Sequence, residues 1–372
     1  MGPRQARWGL PLRIVWALLL MALAGCSTLG YYAEAINGHV SVLRAARPID
    51  DWLTDPATPE ILKRRLEQVR AIRAFASNEL GLPNNSSYRT YADLHRPFVV
   101  WNVMATPSLS LELKKWCFPF AGCVTYRGYF DKDDAQAFAA QLRSEGLDVL
   151  VGGVPAYSTL GWTADPVLST FIKYPEAEVA RLIFHELAHE EFYLPGDSTF
   201  NESYATTVEQ EGVRRWLVAQ NNPAMTQRYE TFERRRDTLF SLLENARENL
   251  SAAYTAAKDD AMRRADKEQA FAALRLAYRT AKADPSNPLY HFNGYDDYFA
   301  RDLNNALLAS IATYTQRIPA FVKLLAEQNG NLPRFYDAVR ALAKLDKPQR
   351  EARLDALESA VTASRDVVTP VR

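Results

Sequence analysis

Two histidines, His185 and His189, stand four residues apart, and Glu186 directly follows the first of them in the pattern H-E-x-x-H. Residues four apart in an α-helix lie on one face, so both imidazoles can reach a single metal ion. Glu186 flanks that face and can take a proton from an attacking water. Because the chain has only five histidines, this pairing around a glutamate is rarely a matter of chance. The spacing predicts zinc-dependent peptide hydrolysis.

A third metal ligand is expected, because catalytic zinc usually has three protein ligands, commonly two histidines and one glutamate in peptidases. Glu202 is the first choice, since it falls in the first turn of a second helix predicted to begin near Phe200, after the turn at residues 195–196. Glu209, two turns further on, is interpreted either as a partner that orients a ligand or, preferably, as a solvated side chain. The competing acids are Glu190, Glu191 and Asp197.

The motif needs a helix around it, and the residues upstream of His185 predict one. Pro175 and the acids Glu176 and Glu178 are typical of a helix start, where negative charge suits the positive end of the helix dipole. Apolar residues then recur at helical spacing up to Ala188, which places the motif in the middle of the helix.

The segment Asn201–Ala205 is similar to the N-E-x-x-A helix that supplies the third zinc ligand in gluzincins. The chain more closely resembles the bacterial putative aminopeptidase family, which couples this motif to a lipoprotein signal. The shared stretches are Cys117–Phe130, Ala156–Thr170 and Asn304–Ala306. The resemblance implies a zincin-like metallopeptidase that holds one zinc ion per chain, with His185, His189 and Glu202 as ligands.

The amino terminus reads as an export signal over residues 1–25. Three arginines precede a short apolar run, which is too short for a comfortable transmembrane helix. The run ends in Leu23-Ala24-Gly25-Cys26, which resembles a lipobox and predicts lipidation of Cys26. An ordinary secretory signal is the alternative. Ser27 resembles the outer-membrane sorting pattern, so we expect a lipid-anchored protein on the periplasmic side of the envelope, at the outer membrane.

Two further cysteines, Cys117 and Cys123, bracket a loop that contains proline and glycine. In an exported protein this arrangement favours a small structural disulfide, and free thiols are the alternative. Their spacing is not the C-x-x-C of a zinc ribbon or a redox pair.

The whole-chain composition is that of an ordinary globular protein, with 48% hydrophobic and 24% charged residues. The formal net charge is +0, which gives no electrostatic case for nucleic acid as a partner. No P-loop or dinucleotide-binding fingerprint is present, so nucleotide chemistry is not expected. Peptides and, through the lipid anchor, a membrane are the expected partners.

The secondary-structure pattern changes along the chain, from mixed to helical. Helices are predicted for Pro59–Leu80 and Asp131–Ser144, and strands for Phe98–Val103, Val124–Phe130 and Leu147–Val151. Later, Thr226–Ala283 predicts one or two long helices, and residues 302–328 predict a single helix. The expected fold class is α+β and predominantly helical. Residues 26–222 would form a mixed part with a small sheet and the H-E-x-x-H helix, and residues 223–372 a helical part packing over the active site.

The residues that would handle substrate are less sharply indicated. The segment from Gly152 to Trp162 is interpreted as a cleft wall that includes Tyr157, Ser158 and Thr159, or else as a buried connector. The donor for the tetrahedral oxyanion is expected in the downstream helical part. Its candidates are His291, Tyr295, Tyr298 and Tyr314, with Tyr314 and His291 preferred.

An aminopeptidase is therefore the first functional hypothesis, with an endopeptidase as the alternative within the same chemistry. The competing class is a non-catalytic envelope lipoprotein that binds peptide or a partner through a vestigial metal site. Glu186 argues against that class, because metal binding alone requires only the ligands.

Overall fold

A computed structural model describes residues 30–118 and 122–366 of the chain. The predicted signal at residues 1–25 and the predicted lipidation site Cys26 lie outside the described residues. The described part is α+β and mostly helical, which confirms the predicted fold class at that level. Among the helices in the described ranges, none is both long and apolar enough to cross a membrane.

The strands are short and belong mainly to the first half of the chain. They are β1 Ala46–Pro48, β2 Thr90–Ala92, β3 Val100–Pro107, β4 Trp116–Phe118, β5 Gly122–Val124, β6 Arg127–Tyr129, β7 Leu147–Val154 and β8 Val167–Leu168.

The helices begin with α1 over residues 30–45 and become continuous in the second half. The others are α2 Ile49–Thr54, α3 Glu60–Asn78, α4 Lys132–Ser144, α5 Glu176–Glu191, α6 Ser198–Gln220, α7 Pro223–Ala256, α8 Asp260–Ala283, α9 Asp296–Ala300, α10 Asn305–Thr315, α11 Ile318–Glu327, α12 Leu332–Ala343 and α13 Lys347–Asp366.

The longest strand pairing joins β3 to β7 antiparallel, from Val100 opposite Val154 to Pro107 opposite Leu147. β6 pairs with the other edge of β3, so the sheet order is β6-β3-β7. The single strand predicted for Val124–Phe130 is wrong. β5 pairs with β4 while β6 pairs with β3, and because the chain changes partner between them, Thr125 and Tyr126 belong to neither strand.

The two helices that follow the sheets, α5 and α6, pack closely together. α5 begins after Pro175 and carries Glu176 and Glu178 in its first turn, as predicted. Asp197 caps α6 by accepting a hydrogen bond from the Phe200 backbone N–H at 3.2 Å. Close packing depends on Gly212, because a Cβ atom there would lie 2.8 Å from a ring carbon of Phe184. The residue next to Phe184 is His185, so this contact also positions the motif.

The helical half departs from the sequence prediction at one point. The segment Thr226–Ala283 forms the hairpin of α7 and α8, which is the two-helix form of the prediction. The single helix predicted for residues 302–328 is wrong, because the chain forms α10 and α11 with a break before Ile318. Pro319 explains the break. It has no backbone N–H to donate, and in a continuous helix its ring would collide with the carbonyl of Thr315.

The main hydrophobic core combines side chains from both halves of the chain, such as Leu66, Phe184, Tyr204 and Phe335. The final helices α11 to α13 therefore pack with α3, α5 and α6, across the predicted boundary near residue 222. A second core lies between α7, α8, α9 and α10. The α5–α6 pair is thus held from several sides.

Candidate metal centre

His185 and His189 lie one turn apart on α5 and face each other. Their Nε2 atoms are 3.2 Å apart, and their ring centroids are 4.8 Å apart. Both side chains are largely buried. The helix therefore brings the two imidazoles to one point, as the spacing predicted.

Glu202 reaches the same point from the first turn of α6. Its Oε2 lies 3.3 Å from Nε2 of His185 and 3.8 Å from Nε2 of His189. Ligand atoms at zinc distances and tetrahedral angles stand roughly 3.3–3.5 Å apart. The three atoms are close to that spacing, and two imidazoles with one carboxylate are a donor set that zinc favours. The residues fit a divalent ion, and within the described residues they are the group found close enough to hold one.

The acids that competed with Glu202 point elsewhere. Glu190 accepts a hydrogen bond of 2.5 Å from the side-chain amide of Asn85. Glu191 forms an ion pair with Arg340. Asp197 caps α6 and forms an ion pair with Arg350 at 3.0 Å. Each is committed to a structural contact away from the imidazoles.

Glu186 lies on α5 between the two histidines and is only 9% exposed. Burial raises the pKa of its carboxyl group, while the neighbouring imidazoles of His185 and His189 act in the opposite direction. A carboxylate with a raised pKa binds a proton more readily than a solvated one does. This is the property that proton transfer requires.

Glu209 is not the solvated side chain that the sequence analysis preferred, because it is 2% exposed. Its Oε2 lies 2.9 Å from Nδ1 of His185, the ring nitrogen that faces away from His189. Arg181 and Arg236 also approach this carboxylate, at 3.2 and 3.5 Å. Burial raises the pKa of Glu209, but Arg181 and His185 outweigh it and lower the pKa to about 2. Glu209 therefore stays charged and orients His185.

The charges around His185 favour a cation. Burial lowers the pKa of this imidazole, but its hydrogen bonds to Glu202 and Glu209 outweigh that effect and raise the pKa to about 10. Burial likewise raises the pKa of Glu202, and its hydrogen bonds to His185 and His189 bring it well below the ordinary value. Two ionised carboxylates thus stabilise positive charge at this buried point.

His185, His189 and Glu202 line a cavity of about 1110 Å³. The predicted cleft residues Tyr157, Ser158 and Thr159 all line it, in the loop that follows β7. Another wall comes from α7, through residues such as Arg236 and Phe240. The cavity is large enough for several peptide residues and has both polar and apolar walls.

Three of the predicted oxyanion donors, His291, Tyr295 and Tyr298, are not among the described residues that line this cavity. His291 is exposed in the loop between α8 and α9, where its backbone N–H contacts the carbonyl of Lys282, and it does not line the cavity. Tyr295 and Tyr298 pack against the second core instead. The backbone of Tyr314 lies in α10, and its side chain lies outside the described residues. The rarity of histidine and the polarity of the surrounding loop did not predict where His291 lies, because the packing of distant segments decides which residues reach the cavity.

Tyr126 and Tyr193 line the cavity and were missed. Tyr126 lies at the break between β5 and β6, within residues 117–130. Burial raises its pKa far above the ordinary value, and the charges of Glu202 and Glu186 raise it further. Its hydroxyl therefore keeps its proton. The partner change between β5 and β6, which presents Tyr126, depends on sheet pairing and has no local sequence signal.

The structure joins Cys117 and Cys123 in a disulfide across the β4–β5 hairpin, where they are opposite partners. Beside them, Gly122 has φ +72°, and a Cβ there would lie 2.6 Å from the backbone N of Gly196. Gly196 belongs to the turn between α5 and α6. The hairpin thus rests on the connection between the two helices that carry His185, His189 and Glu202.

A family model described as "Putative aminopeptidase" matches residues 30–354, which is most of the chain. No match was found among curated proteins or among solved structures.

Proposed function

The chain belongs to the putative aminopeptidase family, and from this we propose that it is a zinc-dependent peptidase, acting as an aminopeptidase. The observation that supports the proposal most strongly is the convergence of His185, His189 and Glu202 within 4.8 Å, beside the buried Glu186, at the wall of a large cavity. The family description indicates the class of substrate but no mechanism. The two histidines and the glutamate indicate the mechanism but no substrate, so the proposal needs both.

His185, His189 and Glu202 would hold the ion, and Glu209 would keep the ring of His185 in the orientation that directs Nε2 to it. Zinc bound there supplies Lewis-acid chemistry, activating water and polarising the scissile carbonyl. The remaining steps fall to residues of the chain itself.

Glu186 would accept the proton of the attacking water on its carboxylate and then transfer it to the amine that leaves. Burial suits this role, because it raises the pKa of Glu186. A carboxylate with a raised pKa accepts the proton of water more readily and can still pass it to the amine.

Tyr126 would donate its phenolic proton to the oxygen that becomes negative when the carbonyl is attacked. Tyr126 lines the cavity, and burial together with the charges of Glu202 and Glu186 raises the pKa of its hydroxyl, which therefore keeps its proton. Hydrogen bonds of this kind act mainly in the transition state, because the charge they stabilise develops there.

The Tyr126→Phe variant is expected to lower kcat by roughly 10²–10³-fold with a small change in KM. Tyr193→Phe is the matched control, because Tyr193 lines the same cavity and the change is the same. Steady-state kinetics on one peptide compare the two. A larger loss of kcat in Tyr193→Phe would transfer the role to that residue.

The proposed activity is tested with a peptide library in which each sequence has either a free or an acetylated amino terminus. We expect one zinc per chain by metal analysis, cleavage of free amino termini, and loss of cleavage with a chelator, restored by added zinc. Cleavage of acetylated peptides at internal bonds would identify an endopeptidase instead. A chain that holds one zinc and cuts nothing would be the non-catalytic lipoprotein.

The location follows from the sequence and belongs to the same proposal. Cleavage before Cys26 and its lipidation would place the enzyme on the periplasmic side of the envelope, at the outer membrane. The disulfide between Cys117 and Cys123 is consistent with an oxidising compartment.

A further inference from the structure

The sheet β6-β3-β7 has one face toward α4 and the other toward the cavity. Trp101, Val103 and Ala105 alternate along β3 and belong to the core that packs against α4. Successive side chains of a strand point to opposite faces, so Val100 and Asn102 share the other face, and both line the cavity. Asn102 is therefore a polar residue in the wall that the sheet contributes to the cavity.

The carboxamide of Asn102 is buried without a partner. The residue is only 9% exposed, and within the described ranges no hydrogen-bond partner reaches its side chain. The two other buried asparagines of the described chain are fully engaged. The carboxamide of Asn201 accepts from the N–H of Leu194 and donates to its carbonyl, both at 2.8 Å. Asn305 donates to two backbone carbonyls and a tyrosine hydroxyl. An unpaired buried amide destabilises a fold, so its presence at a cavity wall indicates a ligand.

Glycines stand on both sides of Asn102 and leave space for such a ligand. Asn102 is opposite Gly128 on β6 and Gly152 on β7, and directly opposite residues have their side chains on the same face. A Cβ at Gly128 would lie 3.1 Å from Oδ1 of Asn102, so the carboxamide extends over β6 where another side chain would stand. A Cβ at Gly152 would meet nothing within 4 Å. The sheet therefore presents the carboxamide in a slot without neighbouring side chains.

The chemistry around this slot is uncharged. The charged residues among those that line the cavity all lie on the helices α1, α5, α6 and α7. The lining residues closest to Asn102 in the sheet are Val100, Gly128 and Val154. A charged ligand would lose water at this wall without meeting an opposite charge. A peptide amide is neutral and has one donor and one acceptor, which match the two ends of a carboxamide.

We propose that Asn102 binds an uncharged amide of the substrate, accepting a hydrogen bond from its N–H and donating one to its carbonyl. This is the pairing that Asn201 already makes with the backbone of Leu194. The same two groups are present in the main chain of every peptide and in the side chains of asparagine and glutamine. The inference names a substrate-binding residue and so rests on the proposed peptidase function.

Binding without cleavage tests the role of Asn102. Calorimetry is performed on the full chain carrying Glu186→Gln, so that peptide is not consumed. The probe is tetra-alanine, which has no side-chain amide, together with analogues in which each peptide N–H in turn is replaced by an ester oxygen. Adding Asn102→Leu is expected to weaken binding of tetra-alanine by roughly 5–100-fold. The matched control Gln210→Leu, which removes an amide of α6 from the same cavity, should change it little.

The ester analogues distinguish a direct contact from an indirect one. At least one of them should bind more weakly than tetra-alanine while Asn102 is present, and this difference should disappear in Asn102→Leu. If no ester analogue differs, but peptides with asparagine or glutamine bind more tightly in an Asn102-dependent way, the contact is to a substrate side chain. Equal losses in Asn102→Leu and Gln210→Leu, or no peptide whose binding depends on Asn102, would overturn the inference. Cleavage of the peptide library tests the proposed function separately, and the binding result stands even if nothing is cut.

Thermal unfolding separates a binding role from a structural one. Asn102→Leu removes an unpaired buried amide, so the Tm should stay the same or rise. Asn305→Leu removes a carboxamide that donates three hydrogen bonds, and its Tm should fall by several degrees. A fall in Asn102→Leu as large as that in Asn305→Leu would assign Asn102 to the stability of the fold instead.

Discussion

The variant Glu186→Gln is expected to lose about 10²–10⁴-fold in kcat while it keeps its zinc. Gln has nearly the shape of Glu, but its amide cannot accept a proton from water at neutral pH. The proposed metal ligands are His185, His189 and Glu202, so removal of the charge at residue 186 leaves the donor set intact. Kinetics and metal analysis on the same preparation measure both quantities.

Glu190→Gln is the control for that experiment. Glu190 lies one turn further along α5, and a Gln there can still accept the hydrogen bond from Asn85. We expect its kcat to stay within a few-fold of the native value. Zinc loss in Glu190→Gln, or full activity in Glu186→Gln, would contradict the assigned roles.

The variant Glu209→Ala is expected to weaken zinc binding by about 10–100-fold, because His185 loses the carboxylate that orients its ring. It should also lower the free energy of unfolding by about 3–5 kcal/mol, the usual cost when one partner is removed from a buried ion pair. The arginines left without this carboxylate are Arg181 and Arg236, which are themselves mostly buried.

Zinc competition with a chelator and urea unfolding of the zinc-free protein measure these two effects separately. Glu211→Ala is a matched control, because Glu211 is on the same helix and also pairs with two arginines, Arg214 and Arg215, nearer the surface. We expect native zinc affinity and at most about 1 kcal/mol of destabilisation there. Glu209→Gln keeps a hydrogen-bond acceptor, so its zinc affinity and its free energy of unfolding should both lie between those of the native protein and of Glu209→Ala. Equal zinc affinity in Glu209→Ala and Glu211→Ala would refute the positioning role.

Local spacing was enough to predict that the two imidazoles and the Glu202 carboxylate lie together. His185, Glu186 and His189 lie within one helix, and Glu202 follows after a single turn, so their meeting depends on contacts between neighbouring elements. Apolar periodicity and the helix starts at Pro175 and Asp197 carry that information in the sequence.

The rest of the cavity depends on contacts between residues far apart in the chain. His39 and Tyr157 are 118 residues apart and yet form a hydrogen bond, and no local pattern indicates such a pairing. The solvated reading of Glu209 was wrong for a similar reason, because one of its ion-pair partners is Arg236 on α7, 27 residues further along the chain. The presence of an acid at helical spacing does not reveal whether water or an arginine will surround it.

The β4–β5 hairpin has a practical consequence for anyone who produces this protein. Its two strands pair only with each other among the described strands, and an isolated two-stranded hairpin has little stability of its own. Material made in a reducing bacterial cytosol would lack the cystine at residues 117 and 123, and with it the support of the α5–α6 turn. Expression with export to an oxidising compartment is therefore the appropriate route to correctly assembled protein.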